Sequence, residues 1–498
     1  MHPAVVALVN SLSKGQTSLA GESADQADTV SQIARIYEVA RNALEYRAQH
    51  LVRRAAIERI LKRQMVFDQN ALRLTAQLRQ ELQWARYISY AELERVNWSR
   101  IEDIITKHAS ENIPDHSWLV GLISAEIEDE INPNPDYNRF TYFAFHSLRQ
   151  IIKTEEIDLD LLLFVAVDKL YTQSDEQQIS FHLYQLISSQ APGNVLAETY
   201  RQFHLARSNP LLNPLIAVVR KHIGPLVLIR DMYFADPAKF GNLLQDEPAF
   251  KTEAGQVLVK QLSLMQGRIN TATFRSLLYI FLTKMLLGIG VEVPVELAIK
   301  GKIIYPILAV NLLAPVVIMW LLTLNIKLTS GSQRQLLIDR SWQIMSDFSS
   351  KPLDNDFIYS LRQNSSALVL GLFYGLYTLL FGLVYWAIYR LLSVIGFSFL
   401  NVVVFIFFGG IVSFFAVFIR QNSQVYQYKR HHTGKTGLLD LLMLPFVVLG
   451  SWVNKGVSRL NFLAFFFDFI LEAPIKLLLK VLDGWAQFLS FKRDEVVG

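Results

Sequence analysis

Residues 303–326, 367–389 and 396–419 form three apolar runs, each 23 or 24 residues long and each free of Asp, Glu, Lys and Arg. About 20 apolar residues in a helix cross the hydrocarbon core of a bilayer, and only a fully hydrogen-bonded helix tolerates that environment. The chain must therefore place at least three helices in lipid. Its 51% hydrophobic and 18% charged composition agrees, but the excess is local. Residues 1–273 carry 28 basic and 32 acidic side chains, whereas residues 274–498 carry 20 and 12. The expected fold is all-α: an N-terminal helical domain on the cytoplasmic side, a polytopic helical membrane domain, and C-terminal amphipathic helices.

A fourth span is expected at residues 274–291, which are apolar and aromatic but hold Lys284 near their centre. Topology favours the span. With it, residues 327–362 and 420–435 lie on one side with nine basic residues, against only Lys300, Lys302 and Arg390 on the other. Basic residues collect on the cytoplasmic side, so the N-terminal domain is placed there. The competing reading is a helix of the soluble domain packed against the membrane. Residues 1–27 read as a flexible terminus, since no basic segment followed by an unbroken apolar core announces a cleavable signal peptide.

Apolar residues recur every three or four positions from Asp28, with Arg53, Arg54, Arg59, Lys62 and Arg63 falling mostly between them. Residues 28–110 thus read as a long amphipathic hairpin, broken near 67–70 where Asp68 can cap the second helix, with the basic side chains on a solvated face. Residues 111–273 read as an acidic domain of short helices at 118–131, 142–152, 158–171, 176–189, 195–206, 211–221 and 255–263. Interleaved Glu38, Glu45 and Glu58, together with sparse aromatic residues, argue against nucleic acid as a partner.

The end of the chain changes character. Residues 438–453 are apolar but short and contain Asp440 and Pro445, which fits a re-entrant helix better than a fifth span. From residue 465 a narrow polar stripe, Asp468, Glu472, Lys476, Lys480, Asp483 and Gln487, runs beside a wide apolar face. Such a helix lies in the interface with its stripe toward water. Residues 274–435 are accordingly the transmembrane domain and 436–498 a membrane-associated one.

Few residues suggest chemistry. Gly434-Lys435-Thr436 resembles the tail of a phosphate loop, but its upstream glycine is missing, Lys429 standing there, and no strand precedes it. Arg420, Lys429, Arg430 and Lys435 read instead as a basic cluster at the membrane surface. Zero cysteines and no HExxH arrangement leave no metal or cofactor site to propose. Gly371, Gly375 and Gly382 share one face of the third span and would let a neighbouring span approach, self-association being the second outcome. Pro306, Asn311 and Pro315 in the second span would free backbone carbonyls.

The strongest polar candidates lie in the membrane half. Lys284, Glu292 and Glu296 fall on one helical face at multiples of four residues, and a lysine in apolar surroundings needs a carboxylate. At 1.5 Å per residue, Lys284 and Glu292 stand about 12 Å apart on one α-helix, beyond direct contact, so Asp440 is the expected partner. No catalytic constellation accompanies this. The chain is expected to be a non-enzymatic membrane protein whose helical domain docks a protein partner, its membrane half resting in the lipid bilayer. The alternative is a channel or transporter using the kinked second span and the Lys284 face.

Overall fold

The structure, a computed structural model, describes residue 8 and residues 49–452, apart from 67–69, 86, 110, 112, 134, 154–158, 190–193, 302–303, 325–330, 347–358, 361–366, 423–424 and 427–442. The first part of the basic arm, Asp440 and the striped helix beyond residue 465 therefore lie outside the described residues. The architecture is all-α. Among the described residues the only extended pairing is a two-residue parallel bridge of β1 (Ile152–Lys153) with β2 (Tyr359–Ser360). The chain divides into two compact units, one of Met1–Ile223, Gln343–Leu361 and Ile475–Gly498, the other of Gly224–Trp342 and Arg362–Pro474.

The first unit contains α1 (Gln49–Gln64), α2 (Ala71–Trp84), α3 (Tyr90–Arg95), α4 (Trp98–Ala109), α5 (His116–Ile131), α6 (Pro135–Arg149), α7 (Leu159–Val167), a π-helical turn (Asp168–Thr172), α8 (Glu176–Ser188) and α9 (Val195–Ser208). Polar side chains start several of them: Asp115, Asp175 and Asn194 each accept a backbone N–H three residues on, and Ser89 forms a capping box with Glu92. The break after α1 is capped by Asn70 rather than Asp68. Buried side chains of α5 point to all sides, Leu119, Val120, Leu122, Ile123 and Ile127 among them, because α1, α4 and α8 all pack on it. A helix apolar all round belongs at the centre of a bundle.

The helix α10 (Leu212–Ala235) crosses the boundary between the units. It is twice the expected length of residues 211–221, running straight through Gly224-Pro225. Tertiary burial decides this: Leu226, Val227, Leu228 and Ile229 are all buried, and Ser341 donates to the carbonyl of Pro225 at 3.2 Å. The second unit continues with α11 (Pro237–Leu243), α12 (Glu247–Leu287), a π-helical turn (Gly288–Glu292), α13 (Val293–Lys300), α14 (Tyr305–Leu324), α15 (Gly331–Ser346), α16 (Ala367–Val394), α17 (Phe399–Asn422) and α18 (Met443–Trp452).

Four described stretches are long and apolar enough to cross a membrane: Leu212–Ala235, Tyr305–Thr323, Tyr374–Val394 and Phe399–Arg420. They differ in surroundings, since 67% of the first is buried within the protein but only 11% of the third. The first is therefore built as a core helix, and the third as one that few described residues cover. Residues 274–291 form no separate helix. Residues 274–287 are the end of α12 and 288–291 lie in the π turn that follows it; the 41 residues of α12 extend about 60 Å and also include the short segment expected at 255–263. Ile269 and Ile280 of α12 share a core with Met319 of α14 and Phe408, Val412, Ala416 and Ile419 of α17. A tight link joins α16 to α17 as an antiparallel pair. There Phe397 N–H bonds the carbonyl of Leu392 at 3.1 Å, and Gly396 takes φ +97°, a conformation that disfavours any side chain.

Candidate functional site

The buried polar cluster of the second unit assembles at the end of α12. The Nζ of Lys284 lies 2.5 Å from Oε1 of Glu292, and both side chains are enclosed, at 1% and 2% exposure. This corrects the expectation that the two are out of reach. The π turn that carries Glu292 inserts an extra residue into the helix, so an i,i+8 pair is brought to the geometry of i,i+7, two turns apart on one face. The two long side chains close the remainder. Among the described residues, Glu292 is the carboxylate that meets Lys284, the expected partner Asp440 lying outside them.

From α14, Asn311 donates through Nδ2 to Oε2 of Glu292 at 2.6 Å. Nζ of Lys284 also stands 5.0 Å from the ring centroid of Phe408 on α17, a cation–π contact that gains strength where water is absent. One turn beyond Glu292, Glu296 accepts from Nδ2 of Asn401 at 3.4 Å. Helices α12, α13, α14 and α17 are thus tied together by Lys284, Glu292, Glu296 and Asn311, with Asn401 and Phe408 as partners that no spacing in the sequence could single out. An isolated ionic side chain would not persist in such surroundings, whereas a paired and hydrogen-bonded one can.

The glycines behave differently from expectation. A Cβ built on Gly371, Gly375 or Gly382 meets nothing within 4 Å, so that stripe packs against no described residue. Close approach occurs instead between α17 and α18. There a Cβ on Gly450 would stand 2.1 Å from the carbonyl oxygen of Gly410, and one on Gly409 would lie 3.2 Å from the ring of Phe446. The doublet Gly409-Gly410 inside an apolar run was the available signal. Arg420 sits exposed in the last turn of α17, where a cation suits the helix dipole. Lys429, Arg430 and Lys435 lie outside the described residues.

In the first unit, Arg53 and Arg54 are buried rather than solvated. Arg53 grips Glu128 with Nε at 2.7 Å and Nη2 at 2.8 Å, while Arg54, at 0% exposure, meets Glu58 at 2.6 Å and Asp175 at 2.7 Å. The helical period of α1 placed them off its apolar stripe, but α5 and α8 cover that side too. Lys62 and Arg63 do remain half-exposed, paired with Glu58 and Glu81. A further pair joins the first π turn to α8, where His182 Nδ1 lies 2.8 Å from Asp168 Oδ2 and Ser174 donates to Oδ1 at 2.8 Å.

Burial opposes ionisation of both members of this last pair, but their mutual charge and hydrogen bond prevail: His182 is held above its ordinary value and Asp168 below. For a raised histidine, the stabilisation is complete below its unfolded pKa of about 6.5 and is lost as pH climbs through the folded one. The depressed aspartate contributes at any pH above its ordinary range and loses that only in acid. The unfolding temperature of the full chain in detergent is therefore expected to fall as pH rises above about 6.5, and His182→Gln to flatten that slope. An identical slope in the variant would assign the pH dependence elsewhere.

Compared with protein-family models, with curated proteins and with solved structures, the chain matches none.

Proposed function

We propose that the chain is an integral membrane protein whose first unit is a docking or scaffold module, held on the cytoplasmic side, and whose second unit is its anchor. The observation that carries this reading is the closure of the membrane-half charges on one another. Lys284 and Asn311 occupy both oxygens of Glu292, and the described parts of α16 and α17 add no ionisable residue other than tyrosine until Arg390 and Arg420. A route for solutes needs polar groups along its length, whereas a bundle lock needs its buried charges paired at one level. The first unit supports the same reading, with Arg53 and Arg54 paired inside and with Leu72 and Trp84 of α2 exposed.

Two measurements test it together. A photo-crosslinker at Leu72 or Trp84 of the full-length protein in cells is expected to give a discrete adduct with another polypeptide, while one at Leu379 of α16, itself exposed, gives lipid adducts. Proteoliposomes containing the purified chain are expected to leak ions and small solutes no faster than empty vesicles. Saturable flux, with no polypeptide adduct at either position of α2, would replace the docking reading with transport. A cysteine at Ser332 that reacts with an impermeant reagent from outside, while one at Ser99 does not, would overturn the cytoplasmic placement.

A further inference from the structure

One residue of the cluster has acceptors that its partners leave open. Because a carboxylate only accepts, the amide atom of Asn311 at 2.6 Å from Glu292 is its nitrogen, which assigns Oδ1 to the other side. That oxygen is buried, on a side chain 1% exposed, and has no hydrogen-bond partner among the described residues. Four residues further along α14 stands Pro315. Proline has no N–H, so the main-chain carbonyl of Asn311 lacks its α-helical donor as well. A buried oxygen without a donor, on the side chain that holds a buried carboxylate, points to a positively charged ligand. The ammonium of Lys284 already serves Glu292 as a tethered monovalent cation.

We propose that Glu292 and Asn311 form a binding site for a small dehydrated alkali cation of the sodium class, in competition with the ammonium of Lys284. In the cation-bound state the Asn311 amide gives up its bond to Oε2 and turns, so that its Oδ1 and Oε1 of Glu292 replace part of the hydration shell, as carbonyl and carboxylate oxygens do in membrane cation sites. Lys284 keeps its proton and moves aside, its four-carbon stem allowing the charge to reach a more polar level. No bond is made or broken, and the local charge is unchanged when one cation leaves Glu292 as another arrives. The chain has two local states, Lys-in and cation-in, and sodium shifts the population between them. This adds to the anchor reading a ligand that reading does not require.

The test uses the full chain in nanodiscs, with sodium chloride exchanged for choline chloride at constant ionic strength and a membrane-permeable amine acylating reagent as probe. Modification of Lys284, read by peptide mass spectrometry, is expected to rise saturably by roughly tenfold as sodium displaces the ammonium from its enclosed position. Asn311→Leu is expected to abolish the rise. Asn311→Asp, which keeps the oxygens and adds a charge, lowers the sodium concentration needed, and this variant decides the matter if the leucine protein does not fold. Acylation of Lys284 that is indifferent to sodium in the wild type overturns the proposal. So does a sodium response unchanged in Asn311→Leu, or one whose midpoint does not move in Asn311→Asp.

Discussion

Replacing Arg53 by methionine lowers the stability of the first unit by about 3–5 kcal/mol, the cost of stranding a buried carboxylate. Glu128 is buried on α5, and both of its oxygens accept from the Arg53 guanidinium, Nε to Oε2 and Nη2 to Oε1. Burial outweighs the opposing pull of Arg53 and holds the Glu128 carboxyl up at about 7. Without that pull the acid must either take a proton or remain charged in apolar surroundings. The double change Arg53→Met with Glu128→Leu is expected to recover most of the loss, because an apolar pair of similar volume replaces a desolvated ion pair at little net cost. Amide exchange of α1 and α5 in the full chain reads both results, the single variant losing roughly two to four orders of magnitude of protection. A loss under about 1 kcal/mol would show that the pair is screened as a surface bridge is.

Gly450→Val detaches α18 from α17. The added Cβ would stand 2.1 Å from the carbonyl oxygen of Gly410 and 2.6 Å from Cβ of Phe414. Neither atom is the far end of a flexible side chain, so no rotamer change relieves the clash and the helices must separate. Overpacking usually costs about 1–3 kcal/mol, and a backbone clash belongs at or above the top of that range. The hydroxyl of Tyr385, which donates to the carbonyl of Pro445 at 3.0 Å, loses its acceptor as well. Because the chain has no cysteine, a pair introduced at Gly409 and Phe446 reports the contact cleanly. It is expected to oxidise to a disulfide in the parent and to remain reduced when Gly450→Val is added. Equal oxidation in both would show that α18 absorbs the side chain in place.

Much of the local structure was legible from the sequence. The helices expected at 118–131, 176–189 and 195–206 fall on α5, α8 and α9, and the charge-free runs became α14, α16 and α17. What escaped was set by distant parts of the chain. Arg53 finds its acid 75 positions away on another helix, and no period within α1 reveals that its polar side is covered. Gly224-Pro225 carries a strong local stop signal, yet the core around Leu226–Ile229 carries α10 through it. Lys284, Glu292, Glu296 and Asn311 were named from spacing and polarity, but their direct pairing depended on a π turn, and an apolar sequence with Gly288 and Gly290 does not distinguish that turn from plain α-helix.

That only 11% of the apolar window in Tyr374–Val394 is buried has a consequence for how this gene can drift. Where fluid acyl chains are the neighbours, shape is not inspected and greasiness alone is, so leucine, phenylalanine and valine are interchangeable along most of α16. The opposite holds for α17, whose Gly410, Phe408 and Asn401 each answer to a particular atom on another helix. Two consecutive helices of almost the same apolarity thus accept mutation at very different rates: one preserves a composition, the other an order of letters.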